Sequence, residues 1–133
     1  MESLRVCVIG LGTMGSQHLN VFATMPQARV LAVADLNREL ALRETGQYGG
    51  NIAVYSDYCK MLAEQRPDAV VIALPDAAHR EPVLAALAAG AHVLVEKPLA
   101  VTLEDSDAMI REAKSRGLVL MVNFSHRWAS AYY

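Results

Sequence analysis

Short apolar runs recur along this chain, and stretches of helical spacing separate them. The first run, Arg5–Ile9, stops at Gly10, and residues 14–25 then carry a helical pattern that Pro26 ends. Arg29–Ala34 predicts a second strand. Asn37 caps a short helix to about Thr45, before Gly46, Gly49 and Gly50 break it. Ile52–Tyr55 predicts a third strand, Ser56-Asp57 opens a helix ending near Gln65, and Arg66-Pro67-Asp68 turns the chain into a fourth strand, Ala69–Leu74. Pro75-Asp76 predicts the start of a helix that runs through Ala89 and closes at Gly90. Ala91–Val95 reads as a fifth strand. A helix from Thr102 or Glu104 to Arg116 follows, and Leu118–Val122 reads as the sixth strand.

The runs are rich in Val, Ile, Leu and Ala, as expected of strands covered on both faces. Six strands joined by helical crossovers predict an α/β fold, a doubly wound parallel six-stranded sheet. Right-handed crossovers put the strands in the order 3-2-1-4-5-6. Residues 1–122 form the predicted domain, and residues 123–133 read as the start of a further element.

Composition narrows the classes. A chain of 133 residues fits one domain, and at this size it buries roughly two-thirds of its unfolded surface. The net charge is −2 with acids and bases interspersed, so no basic stripe points to nucleic acid. No apolar run reaches the ~20 residues of a membrane span. Met1-Glu2-Ser3-Leu4 leads straight into a strand, without the pattern of a signal peptide. Cys7 and Cys59 belong to no Cys-x-x-Cys or His–Cys cluster, so they read as free thiols rather than metal ligands, and a cytoplasmic location is expected.

The chemistry begins at Gly10-Leu11-Gly12-Thr13-Met14-Gly15, a Gly-x-Gly-x-x-Gly turn between a strand and a helix. The first glycine permits the tight turn, the second lets a pyrophosphate approach the backbone, and the third lets helix and strand pack closely. The helix N-terminus offers free N–H groups and the positive end of its dipole to phosphates. Asp35 ends the second strand, 20 residues beyond Gly15. A carboxylate there accepts from both ribose hydroxyls of an adenosine and repels a 2′-phosphate, which favours NAD over NADP. Arg38 keeps NADP open. A methyltransferase also uses a glycine-rich first loop and an acid after strand two, but this spacing and helix continuation suit a dinucleotide better.

Ligands of doubly wound sheets lie outside the carboxyl ends of the strands. Leu74-Pro75-Asp76-Ala77-Ala78-His79 follows strand four, Glu96-Lys97-Pro98 follows strand five, and Asn123 to Trp128 follows strand six. The Lys97 ammonium can reach a substrate oxygen near the nicotinamide, with Glu96 orienting it; read from position alone, a surface Glu–Lys pair serves equally. Pro98 is a candidate for a cis bond. His79 either lines the cofactor groove or is a half-exposed helical histidine. His18 and His92 read as packing or surface residues. Arg127 either pairs with a phosphate, carboxamide or carboxylate or is a surface arginine.

Together, the stretch Val8 to Gly15, Ala34-Asp35, Pro75 with His79, Glu96-Lys97-Pro98 and Asn123 to Trp128 resemble the glucose–fructose oxidoreductase / inositol dehydrogenase / MocA (Gfo/Idh/MocA) family. The resemblance covers the whole chain, and Glu-Lys-Pro is its most specific element. It implies that Gly10, Gly12, Thr13, Met14 and Gly15 hold the pyrophosphate and Asp35 the adenosine ribose. It implies that Leu74, Pro75 and His79 border the cofactor, that Glu96 and Lys97 sit by the nicotinamide ribose, and that Arg127 lies near the cofactor. Lys97 is the implied catalytic residue. Asp76 departs from the asparagine often found there in the family. The resemblance also implies a second α/β domain with most substrate contacts and the oligomer interface, absent from these 133 residues.

The expected function is therefore an NAD-dependent oxidoreductase domain, passing hydride between nicotinamide and a secondary alcohol of a polyol or sugar. Alone it is expected to lack turnover. The competing expectation is a non-catalytic dinucleotide-binding sensor or interaction module. The oligomeric state stays open, with a homo-oligomer among the options.

Overall fold

The apolar runs assemble into a six-stranded sheet in the order 3-2-1-4-5-6, as expected from the sequence. The computed structural model describes residues 2–132. The strands are β1 (Leu4–Ile9), β2 (Ala28–Ala34), β3 (Ala53–Tyr55), β4 (Ala69–Ile72), β5 (His92–Glu96) and β6 (Leu120–Asn123), and every neighbouring pair is parallel. The helices are α1 (Thr13–Thr24), α2 (Arg38–Gly46), α3 (Tyr58–Gln65), α4 (Arg80–Ala88) and α5 (Leu103–Arg116). No helix among the described residues is long and apolar enough to cross a membrane.

Alternation along β1 divides the core. Val6 and Val8 face Leu19 of α1 and Ala41 of α2. Cys7 and Ile9 face the other layer, where Met61, Leu62, Val83, Leu87 and Met109 come from α3, α4 and α5. Each fully buried side chain of this size contributes about 1.5–3 kcal/mol relative to exposure. One register irregularity adjusts the pattern. Val6 pairs with Val30 but Cys7 pairs with Ala32, so Leu31 is passed over. That bulge puts Val30 and Val33 on the same face although they are three residues apart.

Polar caps set the helix starts. Asn37 accepts from the Leu40 N–H at 3.0 Å, Asp57 from the Cys59 N–H at 2.8 Å, and Thr102 from the Asp105 N–H at 3.1 Å. The predicted helix from Pro75 does not begin there. A single 3₁₀ turn occupies Asp76–Ala78, and α4 starts at Arg80. The Ala78 N–H bonds the Pro75 carbonyl, and the His79 ring is drawn inward to other loops, so the first turn is tightened. β6 runs to Asn123, one residue past the predicted boundary, because Asn123 pairs with Glu96 of β5. The further element read after strand six consists of short 3₁₀ turns at Ser125–Trp128 and Ser130–Tyr132.

Cys7 is buried and Cys59 exposed, both as free thiols. Burial pushes the Cys7 thiol up to about 12, outweighing the lowering influence of its hydrogen bond with the Ala32 backbone. The thiolate is the nucleophile. At neutral pH iodoacetamide is therefore expected to alkylate Cys59 readily and Cys7 only after unfolding, as read by peptide mass spectrometry. Alkylation of Cys7 at a rate comparable to Cys59 in the folded protein would contradict this packing.

Candidate functional site

The first crossover converges on a turn in which two glycines are required by contact. Gly10 has φ +89°, and a Cβ there would lie 2.2 Å from the Ala73 carbonyl oxygen. A Cβ at Gly15 would lie 1.8 Å from the Gly10 carbonyl oxygen. Both distances are far inside contact, so α1 is seated directly on the end of the sheet. Gly12 is different: no atom lies within 4 Å of where its Cβ would be. It is the N-cap of α1 and contributes no side-chain cap. The first-turn N–H groups of Thr13, Met14 and Gly15 have no acceptor within the helix. Thr13 is exposed and Met14 half-buried.

Asp35 stands against this turn. One carboxylate oxygen accepts from the Leu11 N–H at 2.7 Å, and the other accepts from the Asn37 N–H at 2.7 Å. The carboxylate thus braces the glycine turn from the end of β2, a role that its spacing alone did not reveal. It lies at a cleft of about 570 Å³ lined by residues including Ile9, Leu36, Tyr58, Leu74, Pro75 and Glu81. Leu36 is 93 % exposed at its edge. Arg38 is directed instead to the Val54 carbonyl at 3.4 Å.

His79 does not present a half-exposed ring. It is 1 % exposed. Its Nδ1 lies 3.0 Å from the Pro98 carbonyl and 3.2 Å from that of Leu99, and Nε2 lies 2.8 Å from the Leu74 carbonyl. Carbonyl oxygens only accept, so whichever ring nitrogen carries the proton donates to the carbonyl it faces. It ties the segment after β4 to the segment after β5, and borders the cleft through Leu74 rather than by its own ring nitrogens.

At the end of β5, Glu96 is 8 % exposed. The expectation that Glu96 orients Lys97 gives way to a different set of partners. Its Oε1 accepts from His18 Nε2 at 2.6 Å and from Asn123 Nδ2 at 2.7 Å. Burial pushes the carboxyl up, but the hydrogen bonds from Asn123 and His18, the nearby His18 charge and the Lys97 backbone N–H together hold it below the usual range. His18, read from sequence as a packing or surface residue, therefore joins α1 to β5. Only the pairing of α1 with a strand four positions away in the sequence order brings it there, so no local pattern announced it.

Lys97 is exposed, and its side chain makes no hydrogen bond or ion pair among the described residues. The Lys97–Pro98 bond is cis, as the motif anticipated. Arg127 is exposed in the 3₁₀ turn Ser125–Trp128 beyond β6. The structure thus gathers Gly10 to Gly15, Asp35, Leu74 and Pro75 around one half of the sheet's carboxyl edge. Glu96, Lys97 and the segment carrying Arg127 follow the other half.

A parallel sheet in this order, with an uncapped helix starting at a glycine turn and an acid after β2, defines a Rossmann domain for a dinucleotide. The chain belongs to the Gfo/Idh/MocA oxidoreductase family: the family's NAD-binding Rossmann fold matches residues 4–124. D-glucoside 3-dehydrogenase of Escherichia coli (strain K12) is 37 % identical over 127 residues, covering 95 % of this chain and 36 % of its own length. Inositol 2-dehydrogenase/D-chiro-inositol 3-dehydrogenase of Shouchella clausii (strain KSM-K16) is 36 % identical over 132 residues, with 98 % and 38 % covered. Among solved structures, scyllo-inositol dehydrogenase from Lactobacillus casei with bound NAD(H) and scyllo-inositol superposes with a TM-score of 0.90 at 25 % identity. That superposition covers 98 % of this chain and 39 % of the other. The chain therefore spans little more than a third of the length of these relatives.

Proposed function

We propose that this chain is the cofactor half of a dehydrogenase that oxidises a secondary alcohol of a polyol or sugar with NAD as the hydride acceptor. The observation that carries the cofactor assignment is Asp35. Its carboxylate braces Leu11 and Asn37 at the edge of the cleft and keeps acceptor capacity for the two ribose hydroxyls. The open space at Gly12 and the free N–H groups of Thr13, Met14 and Gly15 suit a pyrophosphate. Leu74 and Pro75 would flank the adenosine side. Glu96, Lys97 and Arg127 would lie toward the nicotinamide side, with His79 supporting from beneath.

NAD is favoured over NADP because, among the described residues, the cleft is lined by Asp35 and Glu81 and by no lysine or arginine, while Arg38 bonds elsewhere. Fluorescence titration is expected to give NADH a dissociation constant at least about tenfold below that of NADPH, equivalent to ~1.4 kcal/mol. Tighter NADPH binding would overturn the assignment of Asp35, and failure of both to bind would overturn the proposed function.

When bound, NAD supplies the hydride-accepting carbon. The chain's own contribution to the chemistry is Lys97, whose ammonium would donate a hydrogen bond to the substrate oxygen, or whose neutral amine would take up the hydroxyl proton as the hydride leaves. Residues up to Asn123 would form the cofactor unit, and the segment to residue 133 would lead toward the substrate-binding unit of a longer protein, consistent with the greater length of the relatives. Free Cys7 and Cys59 support a reducing, cytoplasmic setting.

A further inference from the structure

Glu96 and Lys97 are adjacent in sequence, yet the carboxylate and the ammonium are not paired. Neighbouring side chains of opposite charge do pair in this chain, as Arg80 and Glu81 do at 2.5 Å. Glu96 is held by other partners. From α1 comes His18, and from β6 comes Asn123, and both place an N–H on the same oxygen, Oε1. A carboxylate accepts only, so His18 carries its proton on Nε2 and Asn123 presents its amide nitrogen. The side chains of His18 and Glu96 are 13 % and 10 % exposed, so this contact is largely shielded from solvent. It is correspondingly stronger than a surface pair.

We propose that His18 and Asn123 are positioning residues that hold the Glu96 carboxylate away from Lys97, leaving the lysine ammonium unpaired for the substrate oxygen. The purpose assigned to the free ammonium rests on the proposed role of Lys97; the sequestration of Glu96 does not. Without the two donors, a carboxylate at the end of β5 would need a new partner, and the nearest cation along the chain is Lys97. The lysine would then be neutralised by its neighbour instead of facing a ligand.

The test measures acetylation of Lys97 by the N-hydroxysuccinimide ester of acetate in the full-length protein, without cofactor, by quantitative peptide mass spectrometry. Exposed Lys114 serves as the internal reference. In His18→Leu/Asn123→Leu the Lys97 rate is expected to fall about threefold relative to Lys114, the scale of a newly formed exposed ion pair. His18→Gln, which keeps an N–H donor, is expected to retain most of the original rate. Adding Glu96→Gln to the double variant is expected to restore it, which a general loosening of the fold would not do. An unchanged Lys97 rate in the double variant overturns the proposal, and so does a slowing that Glu96→Gln leaves in place. If the double variant does not fold, Asn123→Leu alone, on the edge strand, carries the same comparison with and without Glu96→Gln. Because no cofactor is present, a failure of NADH to bind would sink the proposed function while leaving this result to stand or fall separately.

Discussion

Lys97→Ala in the full-length enzyme is expected to lower kcat by roughly 10²–10⁴-fold, the range for loss of a positioned proton-transfer group. The dissociation constant for NADH is expected to change less than about threefold, because the phosphate turn and the Asp35 side of the cleft lie at other strands. The side chain is exposed and makes no hydrogen bond or ion pair among the described residues, so its removal leaves no buried group unsatisfied. The measurement is steady-state turnover beside an NADH fluorescence titration of the same preparation. Turnover at the wild-type level would remove Lys97 from the chemistry and favour a dinucleotide-binding module that senses rather than reacts. Loss of turnover together with loss of NADH binding would instead make Lys97 a cofactor ligand.

The glycine turn gives the second large effect, and its members are expected to fail in different ways. At Gly15 a methyl group would meet the Gly10 carbonyl oxygen at 1.8 Å, with backbone on both sides of the contact. Relief requires α1 to move off the sheet, so Gly15→Ala is expected to cost about 3 kcal/mol or more, the upper end of overpacking penalties. At Gly12 the same methyl group meets nothing, and the backbone there has φ −65°, which alanine accepts. Gly12→Ala is therefore expected to leave stability within about 0.5 kcal/mol, while its methyl group fills the space proposed for the pyrophosphate. NADH affinity should fall by about tenfold or more, since ~1.4 kcal/mol of lost contact suffices for that. Thermal unfolding and NADH titration of the two variants separate the cases. A Gly12→Ala protein that binds NADH normally would mean that the phosphates do not pass over this residue.

Much of this arrangement was legible in the residues because the relevant physics is local. A strand with both faces buried must be apolar throughout, and a helix seated on a strand end needs glycine at the contact. The sheet order and the acid after β2 followed from those patterns. What escaped was what depends on partners far apart in the chain. Asp35 was read as a ribose ligand, and its hold on the Leu11 N–H appears only when β1 and β2 lie side by side. His79 stood open between lining the groove and lying half-exposed, because its burial comes from the distant Pro98–Leu99 segment. Val30 and Val33 break a strict two-residue alternation, and only the bulge at Leu31 reconciles them with one layer. His18 carried no signal at all, since a histidine in mid-helix has no spacing that names a carboxylate on a later strand.

Helix α1 has a mechanical consequence. Its first turn is pressed onto the Gly10 carbonyl at Gly15, and three residues further along His18 grips Glu96 at the end of β5. The helix is thus pinned at two points, the turn after β1 and the end of β5. A rod fixed twice cannot slide along its axis or pivot without breaking one of its anchors. The phosphate turn and the lysine-bearing strand end are therefore expected to travel as one body, with any hinge lying outside this helix.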